Sequence, residues 1–124
     1  MSETFSFADN RPRKTPKKRF TQSRLFESIK NAALGKRYEL SLVFLSKPQM
    51  RRINRIYRGK DKPTNILSFP LDKKSGEIFI CPAVIEPAEL MPLFIHGLVH
   101  LKGFDHGSKM EREERQILKE FGGV

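Results

Sequence analysis

The apolar positions of this chain change period several times, and each change marks an element. Phe5 and Phe7 alternate with polar neighbours and predict a short first strand over Thr4 to Ala8. Leu25, Phe26, Ile29, Ala32 and Ala33 then recur at helical spacing. That helix is expected to begin between Thr15 and Thr21 and to end at Gly35. Glu39 to Leu45 (ELSLVFL) reads as a buried strand. Ser46 and Gln49 form a capping box, with Pro48 in the first turn of a second helix. It runs to Tyr57 or Arg58, where Gly59 stops it, and it sets Met50, Ile53 and Tyr57 on one side. Asn65 to Phe69 is the next strand, stopped by Pro70, and a turn leads to Glu77 to Cys81 in a hairpin. Pro82 and Pro87 mark a connection, and Pro92 opens a third helix running to about Lys102. Leu93, Phe94, Ile95, Leu98, Val99 and Leu101 make that helix apolar nearly all round, so it should be central. Ser108 and Glu111 cap a last helix with Met110, Ile117, Leu118 and Phe121 facing inward.

A chain of 124 residues suggests one domain over 1–124, with 1–19 supplying the first strand and a basic loop. The net charge of +10 suits an acidic partner, nucleic acid first and anionic membrane second. No apolar run approaches the roughly 20 residues of a membrane span. The start, MSETFSFADN, has no apolar core of a secretory signal. Cys81 is the only cysteine, so no intrachain disulfide partner exists. A cytoplasmic protein is expected. Two basic clusters stand out. Arg11 to Arg19 carries six basic residues and no acid. Arg51, Arg55 and Arg58 follow one another at i, i+4, i+7, and Lys60 and Lys62 extend them into the next loop. Such a stripe is either a solvated face or a surface that binds phosphates.

All three histidines, His96, His100 and His106, fall within HGLVHLKGFDH. A helix puts His96 and His100 on one face. Gly103 can take a positive φ and end it, so that the chain turns back and His106 joins the set. Three nitrogen ligands and an open position describe a catalytic zinc site, one ion per chain. Asp105 either orients a histidine ring or caps the turn. The spacing also matches the metal helix of metzincin peptidases, H-E-x-x-H-x-x-G-x-x-H. Here Gly97 stands where those enzymes place their general base, which argues for different chemistry.

At this point the chain resembles the YbeY family of bacterial endoribonucleases, or rRNA maturation factors. HGLVHLKGFDH follows the family pattern H-G-x-L-H-L-x-G-[YF]-D-H, with Val99 in place of the usual Leu. YRGKDKPTNILSFP, from Tyr57 to Pro70, follows a second family motif. GEIFIC is near a third, and SKMEREERQIL is similar to the last helix. The resemblance covers about residues 39 to 121. The link from Cys81 to His96 is shorter than usual, so a helix there is expected to be lost or reduced to a turn near Ile85 to Leu90.

The resemblance implies an α+β fold, with a four-stranded mixed sheet, packed helices and a central zinc-binding helix. It implies a zinc ion on His96, His100 and His106, and a functionally important arginine at Arg58. The implied activity is cleavage of single-stranded RNA, in maturation of the 3′ end of 16S ribosomal RNA on the small subunit and in ribosome quality control. Zinc can lower the pKa of its water to about 7, which fits a site without the peptidase Glu. Arg58 can then bind phosphate as a planar fork, while Arg51, Arg55, Lys60 and Lys62 position the RNA backbone. Water or the RNA 2′-hydroxyl can serve as the attacking group. The rivals are a metzincin-like peptidase and a noncatalytic zinc module of the ribosome.

Overall fold

In the computed structural model, residues 4–12, 23–103 and 108–121 are described. A four-stranded mixed sheet carries helices on both faces. Its strands are β1 (Phe5–Asp9), β2 (Glu39–Phe44), β3 (Ile66–Asp72) and β4 (Ser75–Ile80), in the order β1-β2-β4-β3. β1 with β2 and β2 with β4 are parallel; β3 pairs antiparallel with β4 at the sheet edge. The helices are α1 (Ser23–Leu34), α2 (Lys47–Arg58), α3 (Leu90–Leu101) and α4 (Ser108–Glu120).

Strand alternation divides the core. Leu40, Leu42 and Phe44 of β2, with Ile78 and Ile80 of β4, point toward α1, α3 and α4. Phe26 and Ile29 of α1, Phe94, Ile95 and Leu98 of α3, and Ile117 of α4 complete this larger cluster. Val43 and Leu67, with Leu45 and Cys81 just past their strands, meet Met50 of α2 in a smaller one. The expected central helix is α3: it contacts α1, α4, β3 and β4, and six of its residues are buried. Among the described residues, no helix is long and apolar enough to cross a membrane.

Several boundaries and faces differ from expectation. Pro70 does not stop β3, which continues to Asp72. A proline lacking its N–H is tolerated on an edge strand, and the register shifts between Pro70 and Asp72. β4 starts earlier, at Ser75. α3 begins at Leu90, so Pro92 lies inside its first turn, where no intrahelical N–H partner is required. The short link agrees with expectation: it folds as two 3-10 turns, Pro82–Val84 and Pro87–Glu89, the second leading directly into α3. In α1, Ala32 is exposed and Lys30 takes the buried position. In α2, Tyr57 is 68% exposed and Asn54 is buried in its stead.

The predicted punctuation of the helices holds. Ser46 and Gln49 cap α2 reciprocally, with Gln49 Oε1 accepting from the Ser46 N–H at 2.8 Å. Gly35, Gly59 and Gly103 follow α1, α2 and α3 with φ of 91°, 69° and 100°. Ile117 is buried, with Leu118 and Phe121 packed beside it. The Ser108 cap, the Met110 side chain and most of the Arg11 to Arg19 loop lie outside the described residues.

Candidate active site

Edge strand β3 is the floor of a cleft between the end of α2 and the C-terminal half of α3. Arg58 enters from α2; His96, His100 and Leu101 enter from α3; Thr64 and Asn65 precede the strand, whose residues Ile66 to Pro70 line the rest. Local chemistry sets each position. Arg58 is the last residue of α2, where a cation suits the carbonyl end of the helix dipole. Gly59 turns the chain away in the left-handed conformation and donates its N–H to the Arg55 carbonyl at 3.0 Å. Asn54 holds the loop beyond: its Nδ2 donates to the Lys62 carbonyl at 2.8 Å.

His96 and His100 are one helical turn apart, with ring centroids at 4.8 Å and planes at 87°. Both rings are part-buried on a helix whose other faces are in the core. Glu114 of α4 pairs with His96 Nδ1. With a carboxylate on Nδ1, the nitrogen that would meet a metal is Nε2, the arrangement in which an outer carboxylate fixes tautomer and ring orientation. A second contact ties the same helices: Lys102 Nζ donates to Glu113 Oε1 at 2.6 Å. Glu114 was not singled out in the sequence. The sequence shows only that it precedes inward-facing Ile117 by three residues and so shares its side of α4; its pairing with His96 depends on how the two helices pack.

The chemistry of these donors suits zinc, which takes imidazole nitrogens from a preorganised element. The third predicted ligand, His106, and Asp105 lie outside the described residues. Among the described residues no group of three or more His, Cys, Asp or Glu side chains is gathered for a metal.

Gly97 has a steric reason of its own. A Cβ there would come within 2.9 Å of Ile66 Cδ1, 3.0 Å of Ser68 Oγ and 3.1 Å of Ile78 Cδ1. The position faces the sheet, and α3 lies close on β3 and β4 because it is glycine. Any side chain at this position would have to displace these side-chain atoms from its first carbon onward.

The basic residues of α2 divide between two surfaces. Arg58 lines the cleft, whereas Arg51 and Arg55 line a separate shallow groove with Lys47, Pro48, Arg52 and Pro63. Lys47 and Arg52 were missed; Lys47 extends the stripe one turn back, at i−4 from Arg51. Arg51 is paired: its Nε and Nη2 donate to the two oxygens of Asp61 at 2.8 and 2.9 Å. These bonds hold the Asp61 carboxyl below the usual range and raise the Arg51 guanidinium. Arg55 lies 3.9 Å from the same carboxylate. Among the described residues Arg58 has no ion pair. Lys60 and Lys62 are exposed in the loop between the surfaces.

Residues 7–122 match the family model described as endoribonuclease YbeY. Proteins named endoribonuclease YbeY are similar to this chain. The one from Chromohalobacter salexigens is 40% identical, over 67% of this chain and 65% of the relative. The one from Neorickettsia sennetsu is 34% identical over 87% and 90%. With the one from Thermotoga neapolitana the match is 42% identical and spans about half of each chain, 53% and 52%. The solution structure of TM1509 from Thermotoga maritima shares the fold, with a TM-score of 0.66, 23% identity, and coverage of 96% of this chain and 89% of that one.

Proposed function

The chain belongs to the YbeY family, and from that premise we propose that it is a zinc-dependent endoribonuclease that cleaves single-stranded RNA. The observation that carries the reading is one cleft holding both an arginine without an ion pair among the described residues and two imidazoles at helical spacing. His96 and His100, with His106, would hold the ion. When bound, zinc supplies a Lewis acid at the reacting phosphodiester. Glu114 holds the His96 ring in orientation through Nδ1. Arg58 binds the non-bridging oxygens of the phosphate and stabilises the negative charge that grows on them. β3 and Leu101 wall the cleft beside these groups. We further assign the activity to the 3′ end of 16S ribosomal RNA on the small subunit, and to ribosome quality control, in line with the family resemblance.

The peptidase alternative loses ground on Gly97. The general base it needs is absent, and even a Cβ at that position would crowd Ile66, Ser68 and Ile78.

The test is cleavage of single-stranded RNA and of casein by purified protein, with His96→Ala and Arg58→Ala as controls. RNA alone is expected to be cut. Arg58→Ala should keep its fold and zinc content and lose about 10²–10³ in rate, the scale for removing one transition-state donor. Cleavage of casein, or full RNA cleavage by both variants, would overturn the reading. Protein that binds ribosomal particles and cuts neither substrate would leave a noncatalytic role.

A further inference from the structure

The cleft ends at an aromatic surface that its charged residues do not explain. Tyr57 immediately precedes Arg58, and its ring is 68% exposed although it sits in the last turn of a packed helix. It leans on Phe69 at 5.3 Å between centroids, with planes at 55°. Phe69 lines the cleft and in turn meets Phe79 edge-on at 5.8 Å, against the smaller core. The ladder Phe79–Phe69–Tyr57 therefore runs from the core to solvent and ends in an open ring face. Burial would have been the cheaper course for so large a ring. Its neighbours are cationic: Arg55, Arg58 and Lys60 flank it in sequence and are all exposed.

We propose that Tyr57, backed by Phe69, is a stacking platform for one base of the single-stranded RNA whose phosphate is held by Arg58. The proposal rests on the RNA reading above and specifies how that substrate is gripped. An unpaired base has an exposed π-face and a phosphate on either side. A ring next in sequence to a guanidinium that has no ion pair among the described residues can engage both, and stacking of this kind tolerates any base. Phe69 backs the Tyr57 ring at 5.3 Å between centroids, which leaves most of the Tyr57 side chain open to a base. A duplex keeps its bases stacked on one another and offers this ring nothing, so the platform selects for single strands.

The test is equilibrium binding of labelled oligoadenylate, and of a ribose-phosphate strand of the same length without bases, to the full chain over a salt series. Tyr57→Ala should weaken oligoadenylate binding about tenfold, the scale for one base on one ring. Its salt slope should match wild type, because no phosphate contact is lost. Tyr57→Phe should bind within about twofold of wild type, since the ring face is kept. The baseless strand should bind wild type and Tyr57→Ala alike. Wild-type binding of oligoadenylate by Tyr57→Ala, or the same loss on the baseless strand, would overturn the platform while leaving the RNA reading intact. A wild-type protein that binds no single-stranded RNA would overturn both. Tyr57 is exposed, so a thermal melt matching wild type is expected and excludes unfolding as the cause.

Discussion

His96 shows how much a single side chain depends on its neighbour. Its spacing from His100 was written in the sequence, but the group that orients the ring comes from another helix, and no local pattern connects Glu114 to it. The histidine pair and Gly103 were legible because helical geometry acts within a few residues. Glu114 was not, because its contact depends on how α3 and α4 pack. Glu114→Gln keeps size and hydrogen-bonding capacity and removes charge. It should lower zinc affinity about 10- to 100-fold, the range for losing an outer carboxylate, with little change in fold. Competition against a metal chelator measures this directly. Unchanged affinity would mean that Glu114 only fastens the two helices, a role Lys102 and Glu113 already serve.

At the scale of elements, α2 was read correctly in its bounds and incompletely in its faces. Its cap and its stop are set by Ser46, Gln49 and Gly59, all local, and the sequence announced them. The faces depend on the sheet beneath. Asn54 is buried because the loop after Gly59 returns over it, and Tyr57 is exposed because β3 offers it an aromatic edge and no pocket. The basic stripe likewise divides, with Arg51 and Arg55 beside Asp61 and Arg58 beside the histidines. Asp61 therefore competes with any phosphate for Arg51. An exposed pair of this kind contributes little to stability, so Asp61→Asn should fold normally. At low salt it should bind single-stranded RNA more tightly than wild type. Its salt slope should steepen by about 0.7, the value for one further phosphate contact on a single strand. A salt titration of both proteins decides the matter. Weaker binding by Asp61→Asn would show instead that the carboxylate holds Arg51 in its binding posture.

For the molecule as a whole, the division into strands and helices could be read from periodicity, and the α+β class followed from resemblance. The strand order could not be read from either, because pairing β2 with β4 between β1 and β3 is decided by side chains far apart in sequence. Lys30 was equally hidden. Helical spacing puts it among Phe26, Ile29 and Ala33, yet a lysine in a stripe is ordinarily counted as solvated. Here its Nζ reaches Thr4 Oγ1 at 3.2 Å, Asn31 Oδ1 at 3.0 Å and the Lys36 carbonyl at 3.3 Å. It thereby joins α1, the start of β1 and the turn before β2. Those partners are neutral. Burial lowers the Lys30 pKa, opposed only in part by Glu27. The sign follows from proton counting. Between the lowered folded value and the ordinary value near 10.4, the unfolded chain binds a proton that the folded chain does not. Folding is therefore favoured increasingly as pH rises through that window. Lys30→Met keeps the length of the stem and removes the titration. Relative to this variant, wild type should gain stability as pH rises from the lowered folded value toward the ordinary lysine value. Below the lowered folded value, both states carry the proton and the difference should be flat. Urea denaturation of the two proteins at a series of pH values measures it. Parallel curves across the whole range would mean that Lys30 keeps an ordinary pKa in the folded chain, and that its three oxygen partners compensate for the water it has lost.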